Sequence, residues 1–195
     1  DHHRFQLIGM MEMIATFEKR ITEITQRMDT LTEKHQDLLN RLDEIPGIDK
    51  KSAQSIVSEL GITLDEFTCM AALASWAGLC PGNNESAGKR KSGRTSVRSH
   101  PFKTILVEVA WAAVKKKGSY YRAKYYKLKA RRGAKKAIVA IAHRISKAIF
   151  NIIKQGDTFM DLGEDYLTVQ TRQRVINNIK KQAEQLGYKL VPCEN

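Results

Sequence analysis

The sequence is short of carboxylates where its positive charge is densest. Between Ser86 and Lys136 stand 17 lysines and arginines and a single acid, Glu108, so this stretch sums to +16 in a 195-residue chain of net charge +12. That scarcity excludes a self-sufficient two-metal nuclease, which needs several converging carboxylates. What it leaves is a positive field suited to a polyanion, either nucleic acid or an acidic membrane surface. Cysteine is equally sparse. Cys69, Cys80 and Cys193 are odd in number and lack CxxC spacing, which excludes a disulfide framework and a zinc site, and they are read as packing residues. No apolar run reaches the roughly 18 residues of a membrane span, and no signal peptide opens the chain. The expectation is a soluble, cytoplasmic protein with no membrane partner. His2 and His3 are assigned no metal role.

Helix breakers are missing from the first 44 residues, which contain no proline and no glycine after Gly9. Apolar positions there step by three and four: Leu7, Met10, Ile14, Phe17, Ile21, Ile24, Met28, Leu31, Leu38 and Leu42, with His35 as the one polar interruption. A narrow heptad stripe flanked by charges predicts one long helix over 1–44 in a coiled coil, a dimerisation element. Packing of that helix back onto its own domain is the alternative.

Pro46 and Gly47 end the long helix, Asp49 is a good cap, and Ala53, Ile56, Val57 and Leu60 form the apolar face of the next one. An apolar-Gly-apolar turn opening a short helix is half of a helix-hairpin-helix element, in which Gly47 lets backbone amides approach a phosphate. A plain helix-helix turn fits the same residues. A small-residue helix follows near 68–77, then a helix with Pro101 in its first turn and Lys115, Lys116 and Lys117 at its end. A tyrosine-rich basic helix comes next. Ile138, Ile141, Ile145, Ile149 and Ile152 mark the core helix by their spacing. A last helix near 168–186 and a short strand in "GYKLVP" close the chain. The fold class is all-α, divided as 1–44 coiled coil, 45–166 helical domain and 167–195 C-terminal helix and tail.

Between the small-residue helix and Pro101 lies "GNNESAGKRKSGRTS". Its composition fits a solvated connector, and it also fits a loop that grips phosphate. A serine hydroxyl is a poor nucleophile unless its proton is removed and the attacked phosphate is neutralised. Around Ser86, Gly88 permits close backbone approach, while Lys89, Arg90, Lys91, Arg94 and Arg98 can neutralise and orient a phosphodiester. The loop holds no evident base. Lys115, Lys116, Lys117, Arg122, Lys124, Lys127, Arg131 and Arg132 extend the phosphate-binding surface. Tyr120, Tyr121, Tyr125 and Tyr126 raise a tyrosine nucleophile as an alternative, beside packing or base stacking.

"IPGI", "LASWAGLCPGNNESAGKRKSGRTS", "ILVEVAWAA" and "YYKLKARRGAKKAIVAIAHRI", in this order, resemble the C-terminal domain of the insertion-sequence-110 family of transposases, particularly its eleven-eleven subgroup. The resemblance covers roughly residues 45 to 166, and the upstream coiled coil fits it. It implies a DNA transposase or recombinase in which Ser86 attacks DNA and forms a phosphoserine link. Ala87 stands where many members have glycine. It further implies a RuvC-type acidic domain upstream, absent before Asp1, that binds a divalent metal such as magnesium. A structured guide RNA and a homo-oligomer, a dimer through the coiled coil or a tetramer, complete what the resemblance implies. The piece in hand is then expected to hold no cofactor and to be inactive by itself. A non-catalytic dimeric nucleic-acid-binding module is the competing reading.

Overall fold

Five isoleucines spaced at helical intervals build the centre of the molecule. The computed structural model describes residues 2–82, 84–92, 95, 100–189 and 191, with the backbone alone described for 84–86 and 89–92. In it, α7 (Ala134–Gln155) buries Ile138, Ile141, Ile145, Ile149 and Ile152. Around it pack α2 (Gln36–Asp43), α4 (Met70–Trp76), α5 (Pro101–Ala113) and α6 (Tyr120–Arg132), while α3 (Lys50–Leu60) joins through α2 and α5. The all-α class expected from the sequence is borne out, with one two-stranded hairpin inserted between α4 and α5.

Caps fix where these helices begin. Asp49 Oδ1 accepts from the Ser52 amide at 2.8 Å, and Ser119 Oγ accepts from the Tyr121 amide at 3.1 Å. Side-chain caps of this kind are each worth about 1 kcal/mol. Hydrogen bonds from Ser52, its side chain first and its amide second, hold the Asp49 carboxyl below the ordinary carboxylate range. His100 opens α5 by accepting the Phe102 amide at Nδ1, 3.2 Å, with Pro101 in the first turn.

The N-terminal helix differs from the expectation. α1 (His2–Thr32) has no buried residue, and Leu7, Met10, Ile14, Phe17, Ile21, Ile24 and Leu31 are all exposed. A 3₁₀ turn at Glu33–His35 then separates it from α2, so the helix is not continuous over 1–44. Residues in a 3₁₀ turn advance by about 120° each, against about 100° in an α-helix. The tighter turn re-aims the stripe, and Leu38 and Leu42 enter the core of the chain itself. Just before the turn, α1 is tied down. Gln54 of α3, buried, donates from Nε2 to Asp29 Oδ1 at 2.8 Å and to Thr32 Oγ1 at 3.1 Å, and Lys50 Nζ lies 2.8 Å from the same carboxylate.

α8 (Tyr166–Gln185) is attached mainly by its first turns. Leu167 is its one buried residue, and Thr171 Oγ1 accepts from Lys127 Nζ on α6 at 2.8 Å. The strand expected in "GYKLVP" is not formed at residues 188, 189 and 191; residues 190 and 192 lie outside the described ones. A strand needs a paired edge, and among the described residues the strands pair only with each other in the hairpin. Cys69 also departs from its reading as a packing residue. It is exposed at the start of α4, where hydrogen bonds from the Ala72 and Ala71 amides hold its thiol below the ordinary value. Cys80 is half-buried, and Cys193 lies outside the described residues.

Candidate functional site

The stretch around Ser86 is a β-hairpin. β1 (Asn84–Ser86) and β2 (Lys89–Ser92) run antiparallel with Ser86 opposite Lys89, Glu85 opposite Arg90 and Asn84 opposite Ser92. Lys91 is the extra residue of a bulge, which bends the ribbon and raises its twist. A further bridge from Pro81 to Thr95 prolongs the pairing toward the helical body. The tip is Ala87–Gly88, both exposed, with φ of +51° and +73°. Positive φ at both central residues is the requirement of a type I′ turn, whose twist matches that of the flanking strands. The "SAGK" quartet is therefore a defined two-residue turn. It places the Ser86 backbone at the last paired position before the tip.

The roots of the hairpin are anchored. Lys103 Nζ on α5 donates to Thr95 Oγ1 at 3.2 Å. His100 lies edge-to-face against Trp76 of α4, ring centroids 3.9 Å apart, and Trp76 also meets Phe67 and Phe102. The side chains of Ser86, Lys89, Arg90 and Lys91, and the whole of Arg94 and Arg98, lie outside the described residues.

A second group of the expected phosphate-binding residues occupies α6 and the turn before it. Lys115, Lys116, Lys117, Lys127, Arg131 and Arg132 are exposed, and Arg122 and Lys124 are half-buried. Arg122 Nη1 donates to the Lys115 carbonyl at 3.2 Å, which joins the end of α5 to α6. Lys124 sits among cations. Its ammonium is held below the ordinary lysine value by burial first, then by Arg144 of α7, Lys127 and Arg174 of α8. Among the described residues none of these four forms an ion pair with a carboxylate. Such a cluster repels itself and is relieved by an anion. His143 of α7 adjoins it, its imidazole held below the ordinary value by burial, then by Arg144 and Lys147.

Arg144 and Arg174 did not stand out in the sequence. The signal for Arg144 was the polar stripe His143, Arg144, Lys147 opposite the isoleucines, while Arg174 lies in a helix of mixed charge that only the α6–α8 contact brings into place.

The tyrosines divide by burial. Tyr121 and Tyr125 are buried, Tyr120 is half-buried and Tyr126 is exposed. Burial, then the neighbouring Asp161, pushes the Tyr121 hydroxyl above its ordinary value, the wrong direction for an activated nucleophile.

Gly47 proves to be a packing residue. Its φ is +89°, and a Cβ built on it would collide with the Val109 carbonyl oxygen and stand 2.6 Å from the Ala113 amide nitrogen. Glycine is what lets the α2–α3 turn lie on the backbone of α5. The shallow groove beside it is lined by Asp49 and Glu108, two carboxylates in a place where a phosphate would need cations. Among the described residues no three His, Cys, Asp or Glu side chains converge as metal donors. No described helix is long and apolar enough to cross a membrane.

The fold and site thus define a helical protein with one strongly basic face and a turn-tipped hairpin between α4 and α5. Residues 39–127 match the family model of the Transposase IS116/IS110/IS902 family. The matched span is a little under half of the chain and runs from α2 through the hairpin and α5 into α6. No curated protein matches the chain.

Proposed function

We propose that this chain is the DNA-binding, strand-transferring part of a transposase and that Ser86 is its nucleophile. The observation that carries the reading is position: the hairpin that holds Ser86 beside a two-residue turn lies inside the transposase match. Ser86 Oγ would attack the phosphorus of a DNA phosphodiester. The bond to one deoxyribose oxygen breaks, that oxygen takes up a proton, and the serine proton passes to a base. Reversal on another strand end restores a phosphodiester and the serine hydroxyl, so strands are exchanged and rejoined without an external energy source.

Electrostatics supports the same reading. Lys89 is the cross-strand partner of Ser86 in the ladder, and a cation there offsets charge that grows on the phosphate in the transition state. Arg90, Lys91, Arg94 and Arg98 belong to the same arm, and the α6 face with Lys124, Lys127, Arg131 and Arg132 continues the track for the backbone. The base and a magnesium site would come from an acidic RuvC-type domain outside this chain, and sequence choice from a structured guide RNA. α1 would pair with its counterpart in another subunit, since an unpartnered helix with such a stripe is marginal in water.

Ser86→Ala tests the role. In the full-length transposase it is expected to abolish recombination while DNA affinity stays within about tenfold, because one neutral hydrogen bond is worth roughly 1 kcal/mol. Normal recombination by that variant would leave the chain as a binding module only.

A further inference from the structure

Four aromatic rings of the helical body are more than a third exposed: Trp76, Trp111, Tyr126 and Tyr166, at 40%, 42%, 52% and 38%. Tyr121 stacks on Phe159, Tyr120 meets Tyr121 and Tyr166, and Trp76 lies in the cluster with Phe67, His100 and Phe102. Trp111 on α5 and Tyr126 on α6 belong to neither of these clusters. Both lean on one ring, Tyr125, which is only 5% exposed. Its centroid is 5.9 Å from Trp111 and 5.3 Å from Tyr126, tilted 64° and 70°. Tyr125 therefore acts as a buried wedge that fixes the two exposed rings on adjoining helices.

Cations flank the two tyrosines of this group. Arg122 Cζ lies 5.6 Å from the Tyr126 centroid, and Lys129 Nζ lies 5.8 Å from the same centroid and 5.9 Å from that of Tyr125. Arg122 is itself held by its bond to the Lys115 carbonyl, next to the exposed Lys116 and Lys117. Glu108, the acid nearest in sequence to Trp111, lines the groove beside Gly47 and Asp49.

We propose that Trp111 and Tyr126, the latter flanked by Arg122 and Lys129, form a stacking platform for the unpaired bases of single-stranded nucleic acid. The proposal rests on the nucleic-acid-binding reading above and goes beyond it by separating two modes of contact. Phosphates are neutralised by cations whatever the strand's form, whereas a free π-face is offered only by bases that have left their stack. An aromatic pair with cations on its margin matches both parts of an unpaired strand, base and backbone. A duplex offers this surface only its phosphates. The platform would hold strand ends or an opened segment while the hairpin acts elsewhere on the same nucleic acid.

The experiment uses the intact chain with Trp76→Phe, which leaves Trp111 as the only tryptophan. Its emission is followed on titration with oligothymidine, oligouridine and a blunt duplex, and binding of the same labelled strands is followed by anisotropy. The single strands are expected to quench Trp111, and the duplex is expected to bind without quenching. Oligothymidine against oligouridine tells whether the strand held is DNA or RNA. Trp111→Leu and Tyr126→Leu should each weaken single-strand binding about tenfold, with duplex binding and the salt slope unchanged, while Tyr126→Phe keeps affinity. Duplex binding without any quenching by single strands would overturn the platform and leave the nucleic-acid reading standing. Failure to bind any of the three would remove both. A shift of Trp111 emission with protein concentration alone would assign the rings to an interface between copies and also overturn the proposal.

Discussion

Replacing Gly47 by alanine should cost far more than the same change at Gly156, and the difference measures how tightly the α2–α3 turn is seated on α5. Both glycines have positive φ, +89° and +73°, so each substitution carries backbone strain of about 1–2 kcal/mol. At Gly156, in the left-handed region, the new methyl would meet only the Arg41 guanidinium at 3.9 Å, an ordinary contact. At Gly47 it would strike the Val109 carbonyl oxygen, the Ala113 nitrogen at 2.6 Å and the Ala112 Cβ at 3.1 Å. Two of those three atoms are helix backbone and do not swing aside, so overpacking adds about 1–3 kcal/mol. The totals are about 1–2 kcal/mol for Gly156→Ala and 2–5 kcal/mol for Gly47→Ala, a large share of the roughly 5–15 kcal/mol of a whole domain. Urea unfolding followed by helical circular dichroism measures both. Equal losses would refute the close approach, and with it the claim that Gly47 is there for packing.

Other expectations follow from single observations. Ala87→Asn makes the tip Asn-Gly, the favoured type I′ pair, and should raise amide protection in the hairpin by about 1 kcal/mol; a fall would contradict the turn. Asp29 is held below the ordinary carboxylate range by its hydrogen bonds to Lys50 first and Gln54 second, so its contribution is present above about pH 4 and is lost as pH falls through its depressed folded value. Amides of residues 29–36, corrected for intrinsic rates, should therefore exchange faster at low pH, and Asp29→Asn should abolish that dependence; unchanged behaviour would mean the clamp does not hold α1. Sedimentation of the chain should show a dimer or larger, and a clean monomer at tens of micromolar would remove the pairing role proposed for α1.

Much of the helical body was legible because burial leaves a period. The five isoleucines of α7 mark a face, and all of them are buried. Periodicity does not say what covers a face, and α1 and α2 show the limit. Leu31 and Leu38 share one heptad register, yet Leu31 is exposed and Leu38 lies in the core. The 3₁₀ turn between them left no breaker in the sequence. In the sequence the hairpin looks like a loop because its three-residue and four-residue strands are dominated by Asn, Glu, Lys and Arg, with no apolar alternation, and its turn carries Ala where Asn would signal type I′. Gly47 was legible as a special glycine. Its reason was not, because the atoms that forbid a side chain come from a helix some sixty residues later. Arg174 and Trp111 were hidden for the same cause, since each gains its setting from a neighbouring helix.

The central claim is that Ser86 becomes bonded to DNA, and mass spectrometry of the protein trapped during recombination tests it most directly. On the proposed role, peptides covering 82–96 of the trapped protein should carry a nucleotide adduct on Ser86, and Ser86→Ala should carry none. An adduct on Ser92, Ser96 or Ser99, which share the charged stretch but not the turn, would contradict the account. So would one on Tyr120, Tyr121, Tyr125 or Tyr126, or recombination that proceeds with no protein adduct at all.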